Sequence, residues 1–245
     1  MKLLTRLLVL TLLGLVPATA LLAQESSPGA KSDKTSAANP KRTDIYHVFI
    51  VKAAPGKAKE LENWLKQPDP DHPNAKSIVV RHQDGDAWDY VAVEYVGAKA
   101  TVETGGTPMT PNQRSLTEWH ADTFVAGPPW AEFAKAMGLD ADASKTSGSV
   151  YTVSDYRAVP GHRDDLEKML NDPSPGDTSS GTVLLAHVEG APWNFLSIVR
   201  YDSWEKFAEN EKNSIAQTSK GGGGWYELRN HCALHHDTLT DRILP

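Results

Sequence analysis

Sliding the sequence against itself by 105 positions lays Tyr46 to Gly97 on Tyr151 to Asp202 without a gap, and thirteen of the 52 pairs are identical. Among them are Tyr46/Tyr151, Pro55/Pro160, Gly56/Gly161, Leu61/Leu166, Leu65/Leu170, His82/His187, Gly85/Gly190 and Trp88/Trp193. At a shift of 115 the match resumes, with Arg114-x5-His120-x-Asp122-Thr123 falling on Arg229-x5-His235-x-Asp237-Thr238. Self-similarity at a fixed offset marks a duplicated supersecondary unit. The expected organisation is therefore two repeats, over 44–140 and 141–245.

Each repeat reads the same way. Tyr46–Lys52 and Tyr151–Arg157 are short runs rich in Val, Ile and Tyr, as a strand requires. Pro-Gly then opens a segment carrying Leu61, Trp64 and Leu65 in one copy and Leu166, Met169 and Leu170 in the other, the spacing of one helical face. Ser77–His82 with Trp88–Val96, and Thr182–His187 with Trp193–Tyr201, are joined across Asp84-Gly85 and Glu189-Gly190, two hairpin signals. In the second copy Ser203–Ala216 reads as a helix and Gly221–Gly224 breaks it. Trp225, Leu228, Cys232, His235 and Leu239 recur every three or four residues, which predicts more helix before a last strand near Thr238–Ile243. In the first copy the corresponding Thr101–Pro111 is rich in Gly, Thr and Pro.

The order strand, helix, strand, strand, helix, strand is the ferredoxin-like unit. With its Pro-Gly helix starts and Trp strands, the chain resembles the dimeric α+β barrel superfamily, which includes NIPSNAP-type and antibiotic-biosynthesis monooxygenase-type proteins. The resemblance spans Asp44–Pro245. It implies an α+β fold in which two tandem repeats fuse into a pseudo-dimeric barrel, with small ligands between sheet and helices. The Glu-x-Arg strand signature of the NIPSNAP type is missing, so no catalytic residue is carried over.

The recurrent polar residues are the candidate ligand-binding set. His82 and His187 end the strand before each hairpin turn, and Trp88 and Trp193 start the strand after it, so each pair is either a ligand wall or a cross-strand packing pair. Arg114, His120 and Asp122, with Arg229, His235 and Asp237, form the second set. Residues two apart share a strand face, so His and Asp can orient one another or line a ligand, while a turn cap is the plainer role. Strands two and four of one repeat lie about 14 Å apart across a 4-1-3-2 sheet at roughly 4.8 Å per strand. His82 is therefore expected to meet His235 and Asp237 of the other repeat, and His187 to meet His120 and Asp122. His231 and His235 have the spacing of one helical face but lack the Glu of His-Glu-x-x-His, so no metal is assigned.

Lys2 and Arg6, the apolar run Leu7–Val16 and Ala18-Thr19-Ala20 have the order of a secretory signal over residues 1–23. The run is shorter than the roughly 20 apolar residues of a spanning helix. Without the leader the formal charge falls from −6 to −8, which disfavours nucleic acid as a partner. Gln24–Thr43 holds no large apolar residue and is expected to be a disordered linker without packing contacts. The single cysteine, Cys232, excludes an internal disulfide and a thiolate zinc site. These features predict an exported, soluble, monomeric binder of a small and partly aromatic molecule, periplasmic or secreted, with cofactor undefined. A cofactor-independent oxygenase or a haem- or metal-handling enzyme is one alternative, and a non-catalytic interaction module is the other.

Overall fold

The computed structural model describes residues 41–68, 76–99, 109–139, 142–172, 174–221 and 224–245. The leader, the linker as far as residue 40 and residues 100–108 lie outside them. Eight strands, β1 (Asp44–Ala53), β2 (Ser77–Asp84), β3 (Tyr90–Ala98), β4 (Thr117–Gly127), β5 (Val150–Ala158), β6 (Gly181–Glu189), β7 (Phe195–Tyr201) and β8 (Cys232–Leu244), close into one antiparallel barrel. The strand order is β1-β3-β2-β8-β5-β7-β6-β4. Residues 44–127 thus contribute a β4-β1-β3-β2 sheet and residues 150–244 a β8-β5-β7-β6 sheet. They are joined along β2/β8 and, over a shorter stretch, β4/β6, which closes the sheet on itself.

Alternation along the strands decides what fills the barrel. Tyr46 and Val48 of β1, Ile78 and Val80 of β2, and Val91 and Val93 of β3 point inward, as do Tyr151, Val153, Val183, Leu185, Leu196 and Ile198. The opposite face of β1 is apolar too, with Phe49, Val51 and Ala53 buried under the helix α1 (Ala58–Leu65) through Leu61. A strand covered on both faces needs such a continuous run, and β1 has it. On the second half Leu166 of α4 (Arg163–Asn171) covers Leu184, Ala186, Phe195 and Cys232. α5 (Trp204–Thr218) and α6 (Gly224–His231) pack on one another, α5 also touching β7 and α6 touching β8 and α4. The first half has only the four-residue α2 (Pro111–Arg114) at the corresponding place among the described residues. No helix among them is long and apolar enough to cross a membrane.

One barrel end is closed by α3 (Trp130–Met137), which sequence periodicity did not single out. Its Phe133 and Met137 are fully buried, and Phe133 stacks on Tyr46 at 4.9 Å between centroids. The phenol of Tyr46 donates to Pro128 O (2.7 Å), in the turn leading into the plug, and that of Tyr151 to Met137 O (2.9 Å) at the plug's last residue. Trp88 and Trp193 fill the other end.

The last helix is shorter, and the last strand longer, than the spacing predicts. α6 stops at His231 and β8 begins at Cys232, because Ala158 already pairs with Cys232 and Arg157 with Leu234. The three- and four-residue recurrence of apolar residues spans this junction, but the β5 ladder takes its second half. His235 therefore lies on a strand, and the expectation that it shares a helical face with His231 is overturned.

Arg42 corrects the linker boundary. Its guanidinium forms an ion pair with the buried Glu167 and lies 5.8 Å over the Phe195 ring. The internal repeat gives the reason. At the β2/β8 junction Arg81 donates to Asp241 (2.8 Å) and faces Glu62, the counterpart of Glu167. At β4/β6 the counterparts of Arg81 and Asp241 are Ala186 and Ala126, which leave a shallow groove of about 300 Å³ that Arg42, Lys99 and Arg163 line. A buried carboxylate without its strand cation takes one from the chain segment before β1.

Candidate functional site

The expected meeting of histidines across the repeat junctions does not occur, although the strands concerned do pair. His82 lies opposite Thr240 in the β2/β8 register, on the barrel face, whereas Asp237 and His235 alternate onto the outer face of β8. His187 likewise lies opposite Val125 on the barrel face, and Asp122 and His120 point outward from β4. Adjacent strands are necessary for such a meeting, but a common face is needed as well.

His82 instead packs edge-on against Trp88 (5.8 Å, 70°), and His187 against Trp193 (5.6 Å, 70°). Both tryptophans are buried in the barrel core, so each pair packs across its strands, and His187 also lines the groove at β4/β6. His187 Nε2 accepts from Ala191 N (3.1 Å), and burial lowers its pKa against the opposing charge of Glu189. Arg114 donates to Met109 O (3.1 Å), and Arg229 lies 5.2 Å over Trp225. Among the described residues the ion-pair partners of Asp122 and Asp237 are histidines, not these arginines.

His120 and Asp122 do converge, and with residues that the repeat could not reveal. On the outer face of the first half, His47 Nε2 donates to Asp122 Oδ1 at 2.9 Å, and His47 Nδ1 lies 3.4 Å from Glu94 Oε2. The other Asp122 oxygen, Oδ2, lies 3.3 Å from His120 Nε2. One carboxylate thus bridges two imidazoles. Three strands build this cluster, since Glu94 is directly opposite His47 on β3, Phe124 is opposite it on β4, and Asp122 is opposite Phe49. Phe124 lies 5.4 Å from the His47 ring and Phe49 lies 5.5 Å from the His120 ring, which gives the polar groups an aromatic surround.

The electrostatics follow from that geometry. Burial alone would lower the His47 pKa, but the hydrogen bonds and charges of Asp122 and Glu94 outweigh it and push it up to about 9. The hydrogen bond from His47 holds the Asp122 carboxyl below its usual range, against burial, and the two imidazoles add to this. At neutral pH His47 is therefore an imidazolium with both N–H groups engaged. His120 directs Nε2 at Asp122, which leaves Nδ1 for a ligand, and its side chain is one-third exposed. A carboxylate that orients an imidazole while a second imidazolium balances its charge is an arrangement able to move a proton.

The second half serves as an internal control. His235 Nε2 is again 3.3 Å from Asp237 Oδ2, as the repeat requires. But His47 is replaced by Thr152 and Glu94 by Val199, so the bridge is missing. Tyr156 stacks on His235 (5.9 Å, 8°), and burial, with the charge of Asp237, raises that phenol's pKa. His235 Nδ1 is buried without a hydrogen-bond partner among the described residues.

No protein-family model and no curated protein match the chain. Among solved structures it is similar to one described as a "putative monooxygenase" from Lactobacillus acidophilus NCFM, with 9% identity over 82% of this chain and 94% of that one, at a TM-score of 0.48. A likeness of that size assigns no chemistry.

Proposed function

We propose that the chain is two tandem ferredoxin-like repeats fused as a pseudo-dimeric α+β barrel, exported, and that it binds a small, partly aromatic molecule on the outer face of its first half. One observation carries the reading: Asp122 bridges His47 and His120 on the outer sheet face where the second half, built on the same strand order, has no such bridge. If the barrel required the bridge, Thr152 and Val199 would not stand at the matching places. Phe124 supplies apolar surface beside His47, and Asp122, Glu94 and His120 supply the directional polar groups of a small-molecule site. The filled barrel interior favours this outer face over a lumen site.

The experiment is a saturation-transfer NMR screen of phenols, aromatic amines and aromatic carboxylic acids against the parent, Asp122→Asn and His47→Ala. The reading expects at least one of these classes to bind the parent and to lose its signal in Asp122→Asn. Binders that ignore both substitutions, or an absence of binders, would contradict it. A second reading, an enzyme, is favoured by His120 standing 3.3 Å from the carboxylate that also holds His47, a grouping suited to acid–base work. An absorption spectrum of the purified protein tests the haem-handling form of that reading.

A further inference from the structure

A second imidazole cluster lies away from the outer-face site, where α6 ends against the start of α4. His162 occupies the position before α4, Asp165 sits in that helix's first turn and His231 closes α6. His162 Nδ1 and His231 Nδ1 are 2.9 Å apart, Asp165 Oδ2 is 4.0 Å from His231 Nδ1, and one ligand atom from each residue lies within 4.8 Å of the other two. The backbone holds the pair in place: Val159 N donates to His231 O (2.9 Å) and His162 N donates to Val159 O (2.9 Å). Glu227, one turn earlier on α6, has Oε1 3.6 Å from His231 Nε2, the ring nitrogen not used in the cluster.

From this geometry we infer that His162, His231 and Asp165 form a binding site for a divalent transition-metal ion of the Zn²⁺ class, three protein ligands with water completing the coordination. Tetrahedral zinc with bonds of about 2.0–2.1 Å separates its ligands by about 3.3–3.4 Å. The observed 2.9 and 4.0 Å bracket that value, so side-chain shifts below about 1 Å seat the ion. Glu227, 3.6 Å from His231 Nε2, is the carboxylate placed to become the outer partner of that imidazole once Nδ1 holds the metal. The repeat shows that the barrel does not need the pair, since the counterparts of His162 and Asp165 are Lys57 and Glu60, a surface ion pair at 2.8 Å.

The test is calorimetric titration of ZnCl₂ into the tag-free protein, with Co²⁺ replacing zinc for the visible band of tetrahedral cobalt. One equivalent is expected to bind the parent, to be lost in His162→Ala and His231→Ala, and to persist in His236→Ala, which disrupts the separate Asp86, Asp155 and His236 grouping. Glu227→Gln is expected to weaken binding about 10- to 100-fold. Should either histidine variant fail to fold, Asp165→Ala removes a largely exposed ligand without touching the core and is expected to abolish the tetrahedral cobalt band. No zinc binding by the parent, binding unchanged in the folded variants, or loss confined to His236→Ala would each overturn the assignment.

Discussion

His47 shows how a residue unremarked in the sequence becomes the centre of a site. Nothing in Tyr46-His47-Val48 distinguishes it from a strand position, because its partners come from β3 and β4 and are 47 and 75 residues away. The pair His120 and Asp122 was legible, since both its members recur in the second copy. Its partner was not, because the repeat replaces His47 with Thr152. The raised His47 pKa has a signed consequence for stability. A group whose pKa is 6.5 unfolded and about 9 folded stabilises the native state fully below pH 6.5, and that contribution is lost as pH rises towards 9. Urea midpoints measured from pH 6 to 9.5 are expected to fall by an amount equivalent to roughly 1–3 kcal/mol in the parent, and to stay flatter in His47→Ala. Equal slopes in the two proteins would remove His47 from the account. Gly85 and Gly190 are set at the same scale. Each has a positive φ (126° and 104°), and a Cβ would lie 2.5 Å from Asp237 O or 2.3 Å from Asp122 O. Alanine at either position is expected to cost more than about 2 kcal/mol by chemical denaturation, combining backbone strain with a clash against the neighbouring half.

At the scale of elements, the strands and the first helix of each copy were readable because both periodicities were clean. β1, β5 and both hairpins fall within two or three residues of the expected bounds. α3 was not readable, since Trp130, Phe133 and Met137 lie in one short copy-specific segment with no repeat partner to draw attention to it. Physically it matters as much as a strand, because it seals the barrel and receives both inward tyrosines. Phe133→Ala is expected to destabilise the protein by about 3–5 kcal/mol in equilibrium denaturation. A loss below about 1 kcal/mol would mean that the plug is dispensable. The α6/β8 boundary failed for a different reason: apolar residues at three- and four-residue spacing satisfy a helix and a half-buried strand alike until the pairing partner is known. β5 supplies that partner at Cys232.

For the whole molecule, closure of the barrel across β2/β8 and β4/β6 makes the two halves one cooperative unit, and Arg42 extends that unit beyond the first strand. Removing residues 24–41 is expected to leave the melting temperature unchanged. Removing 24–43 is expected to lower stability by on the order of 2 kcal/mol, since the buried Glu167 loses its closest cation. The halves differ where function is proposed, one with the His47–Asp122–His120 bridge and the other, among the described residues, with more helical cover. The most direct test of that asymmetry is a long-range ¹H–¹⁵N spectrum of the histidine side chains, recorded while an aromatic binder from the screen is titrated in. The ring nitrogens of His47 and His120 are expected to shift together with a common saturation curve while those of His82 and His187 stay still. Shifts at the barrel-end histidines, with His47 and His120 unmoved, would contradict it.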